Sequence, residues 1–267
     1  MPECGQRAAC APPTFPIPGA TTLTQTLIPH DEIASFYDEG LIVDVLFAVK
    51  SGKEATVYCA QAHPGRPERY YALKYYRPQA QRAFRNDAIY QEGRFAHETR
   101  EVRAMRTKTR KGRAMQFKGW MAHEYAMLTT LHDAGVDVPR PLAIGTNGLL
   151  LEFVGEETTA APMLGSVRLA REEAGPLFER LLGNITTMLA HNVVHGDLSA
   201  YNILYHAGRP VIIDLPQAVD ARNNQNAQML LTRDITNVCG YFTRQRVVCD
   251  PAEIATGLWD RYARGKL

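Results

Sequence analysis

Long hydrophobic runs are missing from this chain of 267 residues. No stretch approaches the roughly 20 consecutive apolar residues that a membrane span needs, so no membrane partner is expected. The first twenty residues carry repeated prolines and no apolar run, which does not read as a secretory leader. Cysteine is scarce and odd in number: Cys4, Cys10, Cys59, Cys239 and Cys249. None form a C-x-x-C pair and no paired His spacing accompanies them, which argues against a zinc site and a disulfide framework. A reduced, intracellular, cytoplasmic protein is the expectation. Charge of one sign is absent too: 30 Lys and Arg stand against 28 Asp and Glu, a formal +2 that says little about partners. No internal repeat is visible.

What is present divides the chain into unlike parts. Residues 1–30, rich in Pro, Thr and Ala, read as a poorly ordered arm. A short helix is predicted from Asp31, a suitable N-cap, to about Gly40. Strand-like segments follow at 41–49, 55–60 and 70–76, separated by Ser51-Gly52 and Pro64-Gly65, which predicts an antiparallel meander. Residues 77–118 then hold twelve Lys and Arg against four acids; within them 107–112 reads as a mobile loop. A helix is predicted over 119–132, stopping at Gly135, then a buried strand over 149–154. The remainder is mostly helical, notably 175–191 and about 227–244. A last helix opens at Asp250-Pro251-Ala252-Glu253, where Asp caps, Pro suits the first turn and Glu takes the capping-box position.

The chemistry concentrates in V-H-G-D-L-S-A-Y-N-I-L (194–204), which fits H-x-D-L-x-x-x-N. A phosphoryl-transfer site needs one carboxylate facing the acceptor hydroxyl and one oxygen donor turned back toward magnesium. Asp197 and Asn202, five apart on a loop between strands, supply that pair. Downstream, P-V-I-I-D (210–214) is an apolar strand ending in a carboxylate, so Asp214 is the second candidate metal ligand. Asn202 and Asp214 suit magnesium, which takes a few carboxylate or amide oxygens and completes its shell with phosphate and water.

Upstream, Lys74 in A-L-K (72–74) is the candidate for pairing the α- and β-phosphates, and Glu124 in W-M-A-H-E (120–124) is its natural partner. The turn S-G-K-E-A-T-V-Y (51–58) would cover a triphosphate with backbone N–H groups. Its candidate nucleotide-binding residues are Ser51, Gly52, Lys53, Glu54, Ala55 and Val57. It is not a Walker A loop, because position 47 is Phe and Glu54 follows the lysine. An ordinary hairpin turn remains the other reading. Adenine would sit against backbone at Glu152 and Val154.

Together these segments resemble the RIO-type atypical protein kinases, with S-G-K-E-A-T-V-Y, the A-L-K lysine, W-M-A-H-E, H-G-D-L-S-A-Y-N-I-L-Y (195–205), I-I-D-L-P-Q-A-V (212–219) and L-L-T-R-D-I-T-N-V (230–238) carrying the likeness over about 36–245. The resemblance implies an α+β, bilobal kinase-like fold. Its N-lobe would span 31–155, including a basic insertion at 77–118, and its reduced helical C-lobe 156–267. It implies ATP with Mg2+ or Mn2+, and a protein substrate or the chain itself as phosphate acceptor. It also implies a link to ribosome assembly, where some members act as ATPase switches and the residue matching Asp214 accepts phosphate. Two departures stand out. Pro216 replaces the usual Ser and restricts Leu215, and Gly196 replaces a common Ala, a change expected to be neutral.

Two other readings stay open. One is a small-molecule phosphotransferase of the aminoglycoside or choline kinase type, which shares H-x-D-x-x-x-x-N. The other is a nucleotide- or RNA-binding module with little catalysis. The basic stretch reads as a solvated helix face, an RNA or ribosomal-particle contact, or a substrate-facing lid. His195 reads as a structural histidine of the catalytic loop.

Overall fold

The computed structural model describes residues 28, 30–52, 54–77 and 110–267. Most of the arm expected at 1–30, Lys53 and positions 78–109 of the basic stretch lie outside the described residues. The chain folds into two lobes of α+β architecture.

The first lobe is a five-stranded antiparallel sheet of order β1-β2-β3-β5-β4. Its strands are β1 (Ile42–Ser51), β2 (Ala55–Ala62), β3 (Tyr70–Tyr76), β4 (Pro141–Ile144) and β5 (Gly148–Glu152). Side chains alternate faces along a strand, and β3 shows what this achieves. Tyr71, Leu73 and Tyr75 face helix α1 (His30–Asp38), in a core with its Ile33 and Phe36. Ala72 and Tyr76 face the opposite way, toward helix α2 (Arg110–Asp133) and the second lobe. Ile33 and Phe36 are 3% and 1% exposed, and burial of this kind stabilises the docked helix by about 1.5–3 kcal/mol per side chain.

Three element boundaries depart from the sequence expectation. Helix α2 starts at Arg110, so positions 110–112 of the expected loop are helical; Arg and Lys are good helix formers, and a helical Gly112 costs only about 1 kcal/mol. Helix α3 (Arg171–Ala190) begins ahead of Pro176. Its first turn is closed by Glu173, whose carboxylate accepts the Ala170 N–H at 3.0 Å. Strand β4, short and only partly buried, carried no clear alternation.

The second lobe opens with the hairpin β6 (Gly155–Glu156) and β7 (Thr159–Ala160), so a boundary drawn after residue 155 falls inside a strand. It continues through α3, β8 (Val193–Val194), β9 (Ile203–His206), β10 (Arg209–Ile212), β11 (Val219–Asp220), α4 (Ala227–Arg244) and α5 (Pro251–Ala263). Helix α5 starts where the capping signal placed it: the Asp250 carboxylate accepts the N–H groups of Ala252 and Glu253 at 2.9 and 3.2 Å.

Asp137, in the link between α2 and β4, ties the lobes together. Its carboxylate takes Arg180 Nε and Nη2 of α3 at 2.7 and 2.9 Å and Asn184 Nδ2 at 3.0 Å. Its carbonyl accepts the Ile212 N–H of β10 at 2.8 Å. No helix among the described residues is long and apolar enough to cross a membrane.

Candidate functional site

Lys74 stands between Ala72 and Tyr76 on the α2 side of β3, the one cation in an apolar row. On α2, Met121, Leu128 and Leu131 form a buried stripe, and Glu124, 1% exposed, lies within it. The two polar groups are therefore aimed at each other by the same periodicities that bury their neighbours. Lys74 Nζ lies 2.6 Å from Glu124 Oε1 and 2.7 Å from Asp214 Oδ1. Burial alone would discharge the lysine, but the Asp214 and Glu124 carboxylates outweigh it and hold its pKa well above the ordinary value.

The second oxygen of Glu124 accepts the Tyr76 hydroxyl. Tyr76 is 2% exposed, and its ring centroid is 5.5 Å from Lys74 Nζ. Burial and the adjacent Glu124 carboxylate push the Tyr76 pKa well up, so its hydroxyl stays a donor.

Across the cleft, the loop between β8 and β9 presents Asp197 and Asn202. Asn202 Nδ2 donates to the Asp197 carbonyl at 2.9 Å, which commits the amide nitrogen to the loop and leaves Oδ1 as the donor atom for a cation. The Asn202 carbonyl accepts the Ile213 N–H at 3.0 Å, and the Ile213 carbonyl meets His195 Nε2 at 3.1 Å. With the Asp197 N–H 3.3 Å from His195 Nδ1, the ring donates from Nε2 and accepts at Nδ1. His195 is thus a brace, 2% exposed, that joins the loop to the residue before Asp214.

Asp214 has φ +69°, a left-handed conformation that costs a non-glycine residue about 1–2 kcal/mol. Half of its side chain is exposed, at 49%, and Asp197 is exposed as well. The Lys74 ammonium holds the Asp214 carboxyl below the usual carboxylate range, against the opposing effect of burial. An ionised carboxylate and an oriented carboxamide oxygen are hard ligands of the type magnesium takes, and phosphate oxygens complete such a shell. Among the described residues no group of three His, Cys, Asp or Glu side chains gathers for a metal, and a magnesium site of this composition needs none. The residues present fit Mg2+ bound with a nucleotide.

The loop is pinned from below by Asp234 of α4, which sequence reasoning did not single out. Its carboxylate accepts the N–H groups of Gly196 and Leu198, each at 2.8 Å. Arg233 donates to the Gly196 carbonyl, and Asn237 Nδ2 donates to the Leu198 carbonyl at 3.1 Å. Burial raises the Asp234 pKa to about 6. Asp234 lies between Leu230, Leu231 and Ile235, Val238 in a helix stripe that is otherwise buried and apolar; a carboxylate at that helical position was the available signal. Gly196 has φ +80°, a conformation that glycine takes at no steric cost and that an alanine would take only with strain.

The turn over the cleft departs from expectation in one respect. Gly52, expected to offer its N–H to phosphate, donates it to the Ala55 carbonyl at 2.8 Å. A Cβ at Gly52 would meet that carbonyl at 3.3 Å, so glycine serves the turn itself. Ser51 Oγ accepts from Arg77, and Lys53 lies outside the described residues. Ala55 and Val57 pair with Tyr76 and Lys74 on β3, which puts them on the Lys74 face. Val57 also pairs with Lys50. A register shift between Ala48 and Lys50 re-aims Lys50 to this face, where its ammonium reaches Met163 Sδ of the second lobe at 3.4 Å and helps hold Asp214 ionised. Lys50 was not foreseen because the bulge that turns it has no local sequence mark.

At the lobe junction, Glu152 pairs with Tyr71 in the sheet, and its carboxylate accepts the Arg140 N–H at 3.1 Å. The Val154 carbonyl is taken by the Ala161 N–H at 2.9 Å.

Comparison with known proteins shows the family to which the chain belongs. A family model described as "RIO1: RIO domain" matches residues 56–254. The chain is 34% identical to the RIO-type serine/threonine-protein kinase Rio1 of Haloferax volcanii over 202 residues, covering 76% of this chain and 64% of that protein. It is 29% identical to the serine/threonine-protein kinase RIO1 of Homo sapiens over 229 residues, or 85% of this chain and 38% of that protein. With the Thermoplasma acidophilum Rio1 it shares 34% identity over 135 residues, 51% of this chain and 69% of the relative. The match to the first two thus spans between about two-fifths and two-thirds of their length.

Proposed function

From the membership of this chain in the RIO domain family, we propose that it is an ATP- and Mg2+-dependent phosphotransferase acting on serine or threonine of a protein, or on itself. The observation that carries this reading is the Lys74 bridge. One buried ammonium touches the helix carboxylate Glu124 at 2.6 Å and the cleft carboxylate Asp214 at 2.7 Å. That is the arrangement needed to orient α- and β-phosphates beside a metal ligand.

In this mechanism, Glu124 and Tyr76 hold Lys74 against the phosphates. Asn202 Oδ1 and Asp214 would hold Mg2+, which would supply positive charge to offset that of the bound phosphates. Asp197, exposed on a loop braced by His195 and Asp234, aligns the acceptor hydroxyl and takes its proton as the oxygen attacks phosphorus and ADP departs. The Val154 N–H is the backbone group proposed for adenine, since its carbonyl is already bonded. Most of the acceleration comes from positioning and charge neutralisation. The basic residues of 77–118 are proposed as the contact for RNA or a ribosomal particle, which predicts salt-dependent binding.

The test is incubation with Mg2+ and γ-labelled ATP, beside Asp197→Ala and Asp214→Ala. Acid-stable phosphoserine or phosphothreonine that disappears in Asp197→Ala supports the kinase. A labile acyl-phosphate with phosphate release, lost in Asp214→Ala, moves the conclusion to ATP hydrolysis. The absence of both label and hydrolysis withdraws it.

A further inference from the structure

Lys50 on β1, Val57 on β2 and Lys74 on β3 stand in one row across the sheet, each paired with the next. Residues paired in this way share a face, so both lysines leave the sheet on the cleft side. Lys50 owes that direction to the register shift after Ala48. Ala48 pairs with Tyr58, which packs against the α1 core, and plain alternation would send Lys50 to the same side. Instead its ammonium donates to Met163 Sδ of the second lobe at 3.4 Å. Met163 is joined to the loop that carries Asp197 and Asn202. It bridges to Leu204, just past Asn202, and the nearby Gly165 N–H donates to the Ala200 carbonyl at 2.7 Å. The Lys50 charge also lies near enough to Asp214 to help hold that carboxylate ionised. Among the described residues Lys50 enters no ion pair, and the thioether it touches is a weak acceptor.

We propose that Lys50 is a second phosphate-contacting cation beside Lys74, and that it takes the terminal phosphate of the bound nucleotide. The inference rests on the nucleotide reading of this site and deepens it. Lys74 is buried and held at 2.6 Å by Glu124, so it serves the inner phosphates from the floor of the cleft. Lys50 starts two strands farther out, roughly 10 Å along the row, on the edge strand of the sheet. Its ammonium spans the distance to the second lobe. The phosphoryl group to be transferred must lie beside Asp197, and Lys50 is the cation brought to that side of the cleft. A lysine ammonium is a compact point charge on a flexible stem, which suits it to phosphate oxygens without a fixed geometry. Exchanging a thioether for an anionic oxygen gives it a charge-assisted hydrogen bond in place of a weak one.

The experiment is calorimetric binding of Mg-ATP, Mg-ADP and adenosine to the full chain, with circular dichroism to check the fold of each variant. Lys50→Met keeps the length of the side chain and removes its charge; Met163→Leu keeps the bulk and removes the sulfur. Lys50→Met should weaken Mg-ATP binding about tenfold, weaken Mg-ADP much less, and leave adenosine unaffected. Met163→Leu should leave Mg-ATP affinity as it is, because the ammonium gives up that sulfur for the phosphate. Unchanged Mg-ATP affinity in Lys50→Met overturns the proposal. Equal losses for Mg-ATP and Mg-ADP overturn the assignment to the terminal phosphate. Equal losses that extend to adenosine, or a loss in Met163→Leu as large as that in Lys50→Met, make the lysine a strut between the lobes and also overturn it. A native protein that binds none of the three removes the nucleotide reading itself, whereas native binding with an unaffected Lys50→Met removes only the Lys50 contact.

Discussion

Lys74 Nζ on β3 and Asp214 Oδ1 after β10 lie 2.7 Å apart, although 140 residues separate them in the chain. This contact crosses between the lobes, and the same ammonium also neutralises a carboxylate, Glu124, that is almost wholly buried. Lys74→Met should therefore do two separable things. Leaving Glu124 without its counter-charge should destabilise the fold by about 3 kcal/mol in urea unfolding. Losing the charge proposed to orient the phosphates should lower the proposed phosphoryl transfer on the order of a hundredfold or more. Full activity in Lys74→Met would contradict the role given to it.

Tyr76→Phe keeps the ring and removes only the hydroxyl that Glu124 accepts. The expected cost is about 1–2 kcal/mol of stability, because one oxygen of a buried carboxylate loses its donor. The expected fall in kcat/KM is about tenfold, since Glu124 is then free to turn from Lys74. In a Glu124→Gln background the same change should have little further effect on kcat/KM. Additivity of the two changes would mean that Tyr76 acts independently of Glu124.

Asp234 predicts a dependence of stability on pH. Its folded pKa is raised to about 6 from 3.8 by burial. Below the unfolded value both states hold the proton, and the buried group imposes no charge cost. Between about pH 4 and 6 the folded state binds more protons than the unfolded one, so stability falls as pH rises. Above pH 6 the loss levels off at about 3 kcal/mol. Asp234→Asn should flatten this slope in denaturant titrations across pH 4–6.5. It should also lower kcat, because an amide cannot accept from both Gly196 and Leu198 with two oxygens. An unaltered slope in the variant would assign the titration elsewhere.

Gly196→Ala tests the backbone of the loop that carries Asp197 and Asn202. At φ +80° an alanine costs about 1–2 kcal/mol. Relief of that strain would shift the neighbouring Asp197. A small drop in thermal stability with a larger drop in kcat, and little change in KM for ATP, is the expected pattern.

Local order was legible wherever it rests on short-range physics. The five-residue spacing of Asp197 and Asn202, the alternation that turns Lys74 away from the Leu73 face, and the Asp250-Pro251 helix start all depend on neighbours in the chain. Helix starts at Arg110 and Arg171 were less legible, because Gly112 and Pro176 oppose them locally while packing of the rest of each helix prevails. The roles of Tyr76 and Lys50 could not be read at all. For Asp234 the apolar helix stripe around it was the one local mark, and only the partners across space show what the carboxylate binds.

The sequence by itself determined which chemical groups the chain possesses and, outside the bulge that re-aims Lys50, which strand face or loop each occupies, because those follow from backbone periodicity and turn chemistry. Tertiary structure alone decided that Lys74 meets both Glu124 and Asp214, that Asp234 pins the loop, and that the Gly52 N–H is used within its own turn. Each of these is a contact formed when distant apolar faces pack, and the polar groups they bury must then find one another or lose their hydrogen bonds.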